Sequence, residues 1–153
     1  MKEIMMNDAD FMREALIEAR RALDAGEMPV GCVIARNGEI VAQAHNEREK
    51  TNDPTAHAEI LAIRRAAKAL GSWRLRDCVL YVTLEPCPMC AGAAAQARLG
   101  RLVYGASDPT YGCAGSVYRI PEDPALNWFC PCDGGVLEDE CAALLRGFFA
   151  VKR

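Results

Sequence analysis

The sequence predicts an α/β fold in which helices cover both faces of a mixed sheet. Three observations carry this reading: a hairpin signal at Asn37-Gly38, continuous apolar runs at 78–84 and 101–106, and helical periodicity in the stretches around them. At 153 residues the chain has the length of one domain with a proper core, so a single domain over 1–153 is expected.

Residues 8–25, DADFMREALIEARRALDA, set Phe11, Ala15, Leu16, Ala19, Ala22 and Leu23 on one side at helical spacing, with Asp8 as N-cap and Gly26 as the stop. Apolar segments then flank Asn37-Gly38, a pair suited to a type I′ turn, which places strands over about 30–36 and 39–45. The next helix takes Asp53 as N-cap and Pro54 at its first position, and runs to Leu70 before Gly71. CVLYVTL (78–84) reads as a buried strand, MCAGAAAQARL (89–99) as a helix and RLVYGA (101–106) as a strand parallel to the one before. The stretch 107–135 is rich in Gly, Pro and Asp and reads as a long loop with one short helical turn; loops of that length are often functional. VLEDECAALLRGFFAVKR closes the chain as an amphipathic helix. There is no repeat, low-complexity tract or linker.

Hydrophobic residues make up 51% and charged residues 25%, which excludes a disordered tail. No apolar run is long enough to cross a bilayer, and the N-terminal stretch carries acids where a signal peptide needs an apolar core; a cytoplasmic protein is expected. Eight cysteines (32, 78, 87, 90, 113, 130, 132 and 141) in so strongly patterned a chain predict reduced thiols. A net charge of −3 leaves no overall footprint for nucleic acid. Residues 64–101, however, hold Arg64, Arg65, Lys68, Arg74, Arg76, Arg98 and Arg101 against only Asp77 and Glu85, which reads as an RNA-facing surface or as a solvated charged face.

The chemistry lies at two strand-to-helix junctions. His57 and Glu59 open one helix in DPTAHAE, and Cys87 and Cys90 stand at the start of the next in EPCPMC. If both helix starts face one sheet edge, two thiolates and an imidazole meet there, a donor set that suits zinc. The positive end of a helix favours thiolate over thiol and so assists both cysteines. Three protein ligands leave a fourth position open for water, whose pKa falls to about 7 on zinc, and a nearby carboxylate can carry its proton to a leaving group. Glu59 is the candidate for that task. The competing reading is a structural site that recruits Cys130 or Cys132 as fourth ligand. Glu59 speaks for catalysis, since a structural site needs no proton shuttle.

His-x-Glu followed by Pro-Cys-x-x-Cys is the signature of zinc-dependent nucleobase deaminases. The resemblance extends over MPVGCVI, HN at 45–46, DPTAHAE, LYVTLEPCPMCAGA, YGASDP, GCAGS and GVLEDECAALLRGFF, and these blocks are similar to the bacterial tRNA-specific adenosine deaminases over nearly the whole chain. It implies a cytidine deaminase-like αβα sandwich with a mixed sheet of about five strands, acting as a homodimer with one zinc per chain. His57, Cys87 and Cys90 match the zinc ligands, Glu59 the proton shuttle and Asn46 the side chain that binds the base. The backbone at Ala58 and Glu85 lines the same pocket, Asp108 and Asn127 match contacts to RNA, and Phe148 and Phe149 match an aromatic pair on the last helix. The implied reaction is hydrolysis at C6 of a wobble adenosine, with a tRNA anticodon stem-loop as partner. The alternative is a free purine base or nucleoside, since guanine deaminases share NDPTAHAE and EPCPMC; a zinc-stabilised RNA-binding module without turnover is the reading from another class.

This chain departs from the family pattern on its RNA-facing parts. Thr110-Tyr111 stands where a lysine is usual, Trp128-Phe129 stands where His-Arg is usual, and no lysine-rich tail follows Lys152-Arg153. Tyr111, Trp128 and Phe129 read as stacking surfaces for unpaired bases, as covers for a smaller pocket, or as loop packing.

Overall fold

Asn37 and Gly38 both adopt positive φ, 53° and 80°, and the turn they form pairs β1 (Gly31–Arg36) antiparallel with β2 (Glu39–His45). This computed structural model describes residues 5–151; Lys152 and Arg153 of the expected last helix lie outside them. The remaining elements are α1 (Asp8–Asp24), α2 (Arg48–Thr51), α3 (Ala58–Leu70), β3 (Cys78–Leu84), α4 (Pro88–Gln96), β4 (Arg101–Ala106), a 3-10 turn (Ile120–Glu122), β5 (Cys132–Asp133) and α5 (Glu138–Val151). The sheet has five strands in the order β2-β1-β3-β4-β5. β1 is antiparallel to both neighbours, whereas β3, β4 and β5 run parallel, as the crossover helix α4 requires.

Alternation along β1 assigns the layers. A β-carbon at Gly31 would collide with the Ala15 carbonyl and the Ala19 amide, so that side of the strand carries α1. Val33 and Ala35 share it, and Tyr81, paired with Val33, stacks its ring on Phe11 at 4.9 Å. α5 packs beside α1, and α3 and α4 pack together against the other face. Three layers result, with a core of Leu16, Ile34, Leu80, Val82, Leu102 and Val103.

Four local expectations are corrected. The N-cap of α1 is Asn7, whose side chain accepts from the Asp10 amide while Asp10 accepts from the Asn7 amide. Asp8 is thereby released to accept two hydrogen bonds from Arg101 and one from the Tyr81 hydroxyl, each 2.8 Å. Second, α3 starts at Ala58, because Asp53 turns its carboxylate onto the Thr55 amide and hydroxyl and closes a turn of its own. Third, α4 ends at Gln96, and Arg98 takes a φ of 58°. Finally, the 107–135 region holds β5, two residues that pair with Leu102 and Val103 and are too short to leave a pattern in sequence.

The basic segment is also divided. Arg101 is bound by Asp8 and Asp133, and Arg65 donates to the Gln43 carbonyl, whereas Arg64, Lys68, Arg74 and Arg76 are exposed. All eight cysteines are free thiols. Among the described residues no helix is long and apolar enough to cross a membrane.

Candidate active site

β1 runs against both β2 and β3, so the ends of β2 and β3 reach the same edge of the sheet. Each then leads to a helix whose first turn faces that edge. His57 is the N-cap residue of α3, Cys87 is the N-cap residue of α4 with Pro88 at the first helical position, and Cys90 follows in the first turn. His57 Nδ1 lies 3.6 Å from Cys87 Sγ and 3.5 Å from Cys90 Sγ, and all three atoms lie within 4.8 Å of one another. A tetrahedral zinc with Zn–S near 2.3 Å and Zn–N near 2.0–2.1 Å sets its N···S edge at about 3.6 Å, so the donor atoms fit that ion. Among the described residues this is the one group of three such ligands, and neither Cys130 nor Cys132 joins it.

Protonation follows from the contacts. The Cys90 thiol donates to Cys87, and this bond, with a further one from His57, outweighs burial and brings Cys87 down to about 4. Cys90, as the donor, is pushed up, and burial adds to the shift. The hydrogen bond with Cys87 raises His57 against the effect of its burial. A divalent cation among the three atoms would replace that shared proton and hold both sulfurs as thiolates.

Glu59, the second residue of α3, is 4% exposed, and burial raises its carboxyl to about 6. It borders a cleft of about 620 Å³ that also takes in His57, Cys87, Asn46, Ala58 and Glu85. That volume is within the range of small-molecule sites and exceeds what one purine base fills. Asn46 is 6% exposed; its Oδ1 accepts the Arg48 amide at 3.1 Å. The first-turn amides of α3 have no partner within the helix and point toward the same end.

Glu85 has a part that the sequence did not reveal. Its carboxylate, 2% exposed, accepts from the amides of Asp108 (3.0 Å), Ala114 (3.1 Å) and Ser116 (2.9 Å) and from the Ser116 hydroxyl. Burial pushes this carboxyl up, and the bonds from Ser116, Asp108 and Ala114 overcome it and hold it below the usual range. The loop after β4 is thus wound around one buried acid. A β-carbon at Gly112 would strike that carboxylate and the Asp108 carbonyl, which explains a glycine at this place. Asp108 continues the winding: its Oδ1 accepts the amides of Thr110 and Tyr111 at 3.0 and 3.1 Å.

Of the expected site residues, His57, Glu59, Cys87, Asn46, Ala58, Glu85, Asp108 and Phe149 line the cleft, and Cys90 lies buried behind it. Asn127 is exposed and stands outside the lining. Trp128 does not stand free: its indole N–H donates to the Leu99 carbonyl at 2.7 Å, and the Arg76 guanidinium lies 5.6 Å from its ring. Sequence reasoning missed Arg48, which also lines the cleft; buried Glu27 accepts the amides of Glu49 and Lys50 and so fixes the short helix that carries it.

A model of the MafB19-like deaminase family matches residues 6–121. A tRNA-specific adenosine deaminase from Bacillus subtilis (strain 168) is 48% identical over 145 residues, covering 95% of this chain and 90% of the relative. The chain belongs to the tRNA-specific adenosine deaminase family. A solved structure from work on A-to-I editing by tRNA:A34 deaminases at the wobble position superposes with a TM-score of 0.85 at 45% identity, covering 88% of this chain and 98% of the other. The five-stranded mixed sheet is therefore the cytidine deaminase-like fold of that family. A guanine deaminase structure from Bacillus subtilis also shares 45% identity, but covers 67% of this chain and 66% of its own at a TM-score of 0.64. The tRNA-specific adenosine deaminase of Bacillus subtilis thus matches more of the chain at comparable identity, 95% against 67%.

Proposed function

We propose that this chain is a zinc-dependent hydrolase that converts adenosine to inosine at the wobble position of a tRNA anticodon, as a single domain that works as a homodimer in the cytoplasm. The observation that carries the reading is a buried carboxylate, Glu59, beside a His-Cys-Cys donor set in one cleft, in a chain similar almost end to end to proteins named for this activity.

His57, Cys87 and Cys90 would hold the metal. Zinc, when bound there, supplies the Lewis acidity that makes water a nucleophile near neutral pH. Glu59 takes a proton from the water and delivers it to the purine, then serves the departing amine. Its burial keeps the carboxyl basic enough to accept and acidic enough to return the proton. The C6–O bond forms, the C6–N bond breaks, and adenosine plus water gives inosine plus ammonia. Asn46, pinned through its Oδ1, holds the base edge, and the Ala58 amide and the Glu85 backbone complete the pocket wall. Asp108 shapes the loop that admits RNA, Phe149 borders the entrance, and Asn127 contacts RNA outside the cleft.

The test is ammonia release by the zinc-loaded protein with an anticodon stem-loop bearing adenosine at the wobble position, beside free purines, pyrimidines and their nucleosides. Release from the stem-loop alone, with inosine at that position, supports the reading. Release from a free base or nucleoside alone replaces it with a purine deaminase.

A further inference from the structure

Tyr111 lines the same cleft as Glu59 and His57, yet the residue is 67% exposed. A large ring so placed contributes little to the core and remains available to whatever enters. Its backbone, by contrast, is held from three sides. The Tyr111 amide donates to Asp108 Oδ1 at 3.1 Å, its carbonyl accepts the Cys113 thiol at 3.4 Å, and the next residue is the glycine wound against Glu85. A ring on a fixed stem loses little freedom when it is covered, which favours binding. The cleft has space for more than the target base, and Phe149, 52% exposed, marks a second aromatic border to it.

Resting on the function proposed above, we propose that Tyr111 is a stacking platform for the base adjacent to the target adenosine in single-stranded RNA. The adjacent base lies on the phenol ring while the target base enters toward Glu59. Every base offers a π-face, so the platform sets affinity for an oligonucleotide over a free nucleoside and does not select one neighbour by hydrogen bonding. Tyr111 is thus a positioning residue; it touches none of the reacting atoms.

The test compares the zinc-loaded full chain with Tyr111→Ala and Tyr111→Phe. The substrates are the stem-loop carrying wobble adenosine and two versions that are abasic on one or the other side of it. Tyr111→Ala is expected to raise KM for the intact stem-loop between about fivefold and a hundredfold, the factor a lost base–aromatic stack implies, with kcat within about twofold. Tyr111→Phe keeps the ring face and restores KM. On the stem-loop lacking the stacked base, wild type and Tyr111→Ala converge. An unchanged KM for Tyr111→Ala, or an equal rise on both abasic substrates, overturns the platform while leaving the deaminase reading intact. If wild type does not turn over the stem-loop at all, both fall.

Discussion

His57 Nδ1 lies 3.5 Å from Cys90 Sγ, although 33 residues separate them in the chain. The sheet brings the starts of α3 and α4 to one edge, and the contact is the result. His57→Ala or Cys90→Ala removes one of the three donors of this group. Zinc content per chain should fall well below one, and activity should drop by more than the 10–100-fold usual for the outer partners of metal ligands. Elemental analysis of the purified variants, with the deamination rate, checks this.

Glu85→Ala should loosen the loop after β4. It strands three amide donors in a place that is 2% accessible, at about 1–3 kcal/mol for each donor left unpaired, so a stability loss on the order of 3 kcal/mol is expected in urea unfolding. Hydrogen exchange at the Asp108, Ala114 and Ser116 amides should accelerate as well.

Asp8 is held below its usual pKa, chiefly by the hydrogen bonds from Arg101, with burial opposing. A depressed folded-state value means that the pair's contribution is present above the unfolded carboxylate value, near 4, and is lost as pH falls through the folded value. Asp8→Asn should therefore be less stable than wild type at pH 7, and the difference should shrink as the solution is acidified below pH 4. A constant difference from pH 7 to pH 3 would contradict the assignment.

Trp128→Ala should act on stability and not on RNA. The half-buried indole and its 2.7 Å bond to the Leu99 carbonyl fasten the 123–131 segment, and their loss should cost about 2 kcal/mol or more. KM for the stem-loop should stay within about twofold, in contrast to Tyr111→Ala.

The parts that were legible from sequence were those specified by neighbours. Cys78–Leu84 and Arg101–Ala106 appeared as strands because a buried parallel strand is a continuous apolar run, and Asn37-Gly38 because both residues accept positive φ. His57, Glu59, Cys87 and Cys90 were legible because each pair sits within a few residues at a helix start. Asp53 misled because a side chain suited to an N-cap is equally suited to a turn, and here it bonds Thr55, three residues before the helix starts at Ala58. The use of Glu85 was hidden because its partners, 108 to 116, come more than twenty residues later and carry no pattern of their own. Trp128 was ambiguous for the same reason: nothing local indicates that its partner is the Leu99 carbonyl.

In the proposed reaction Glu59 moves protons beside a metal held by His57, Cys87 and Cys90. The most direct measurement is inosine formation on the wobble-adenosine stem-loop by Glu59→Gln, with zinc content determined on the same sample. Full zinc occupancy with a rate reduced at least 100-fold, the scale of a lost general acid–base group, is the predicted result. A zinc-loaded Glu59→Gln that deaminates at the wild-type rate would contradict it.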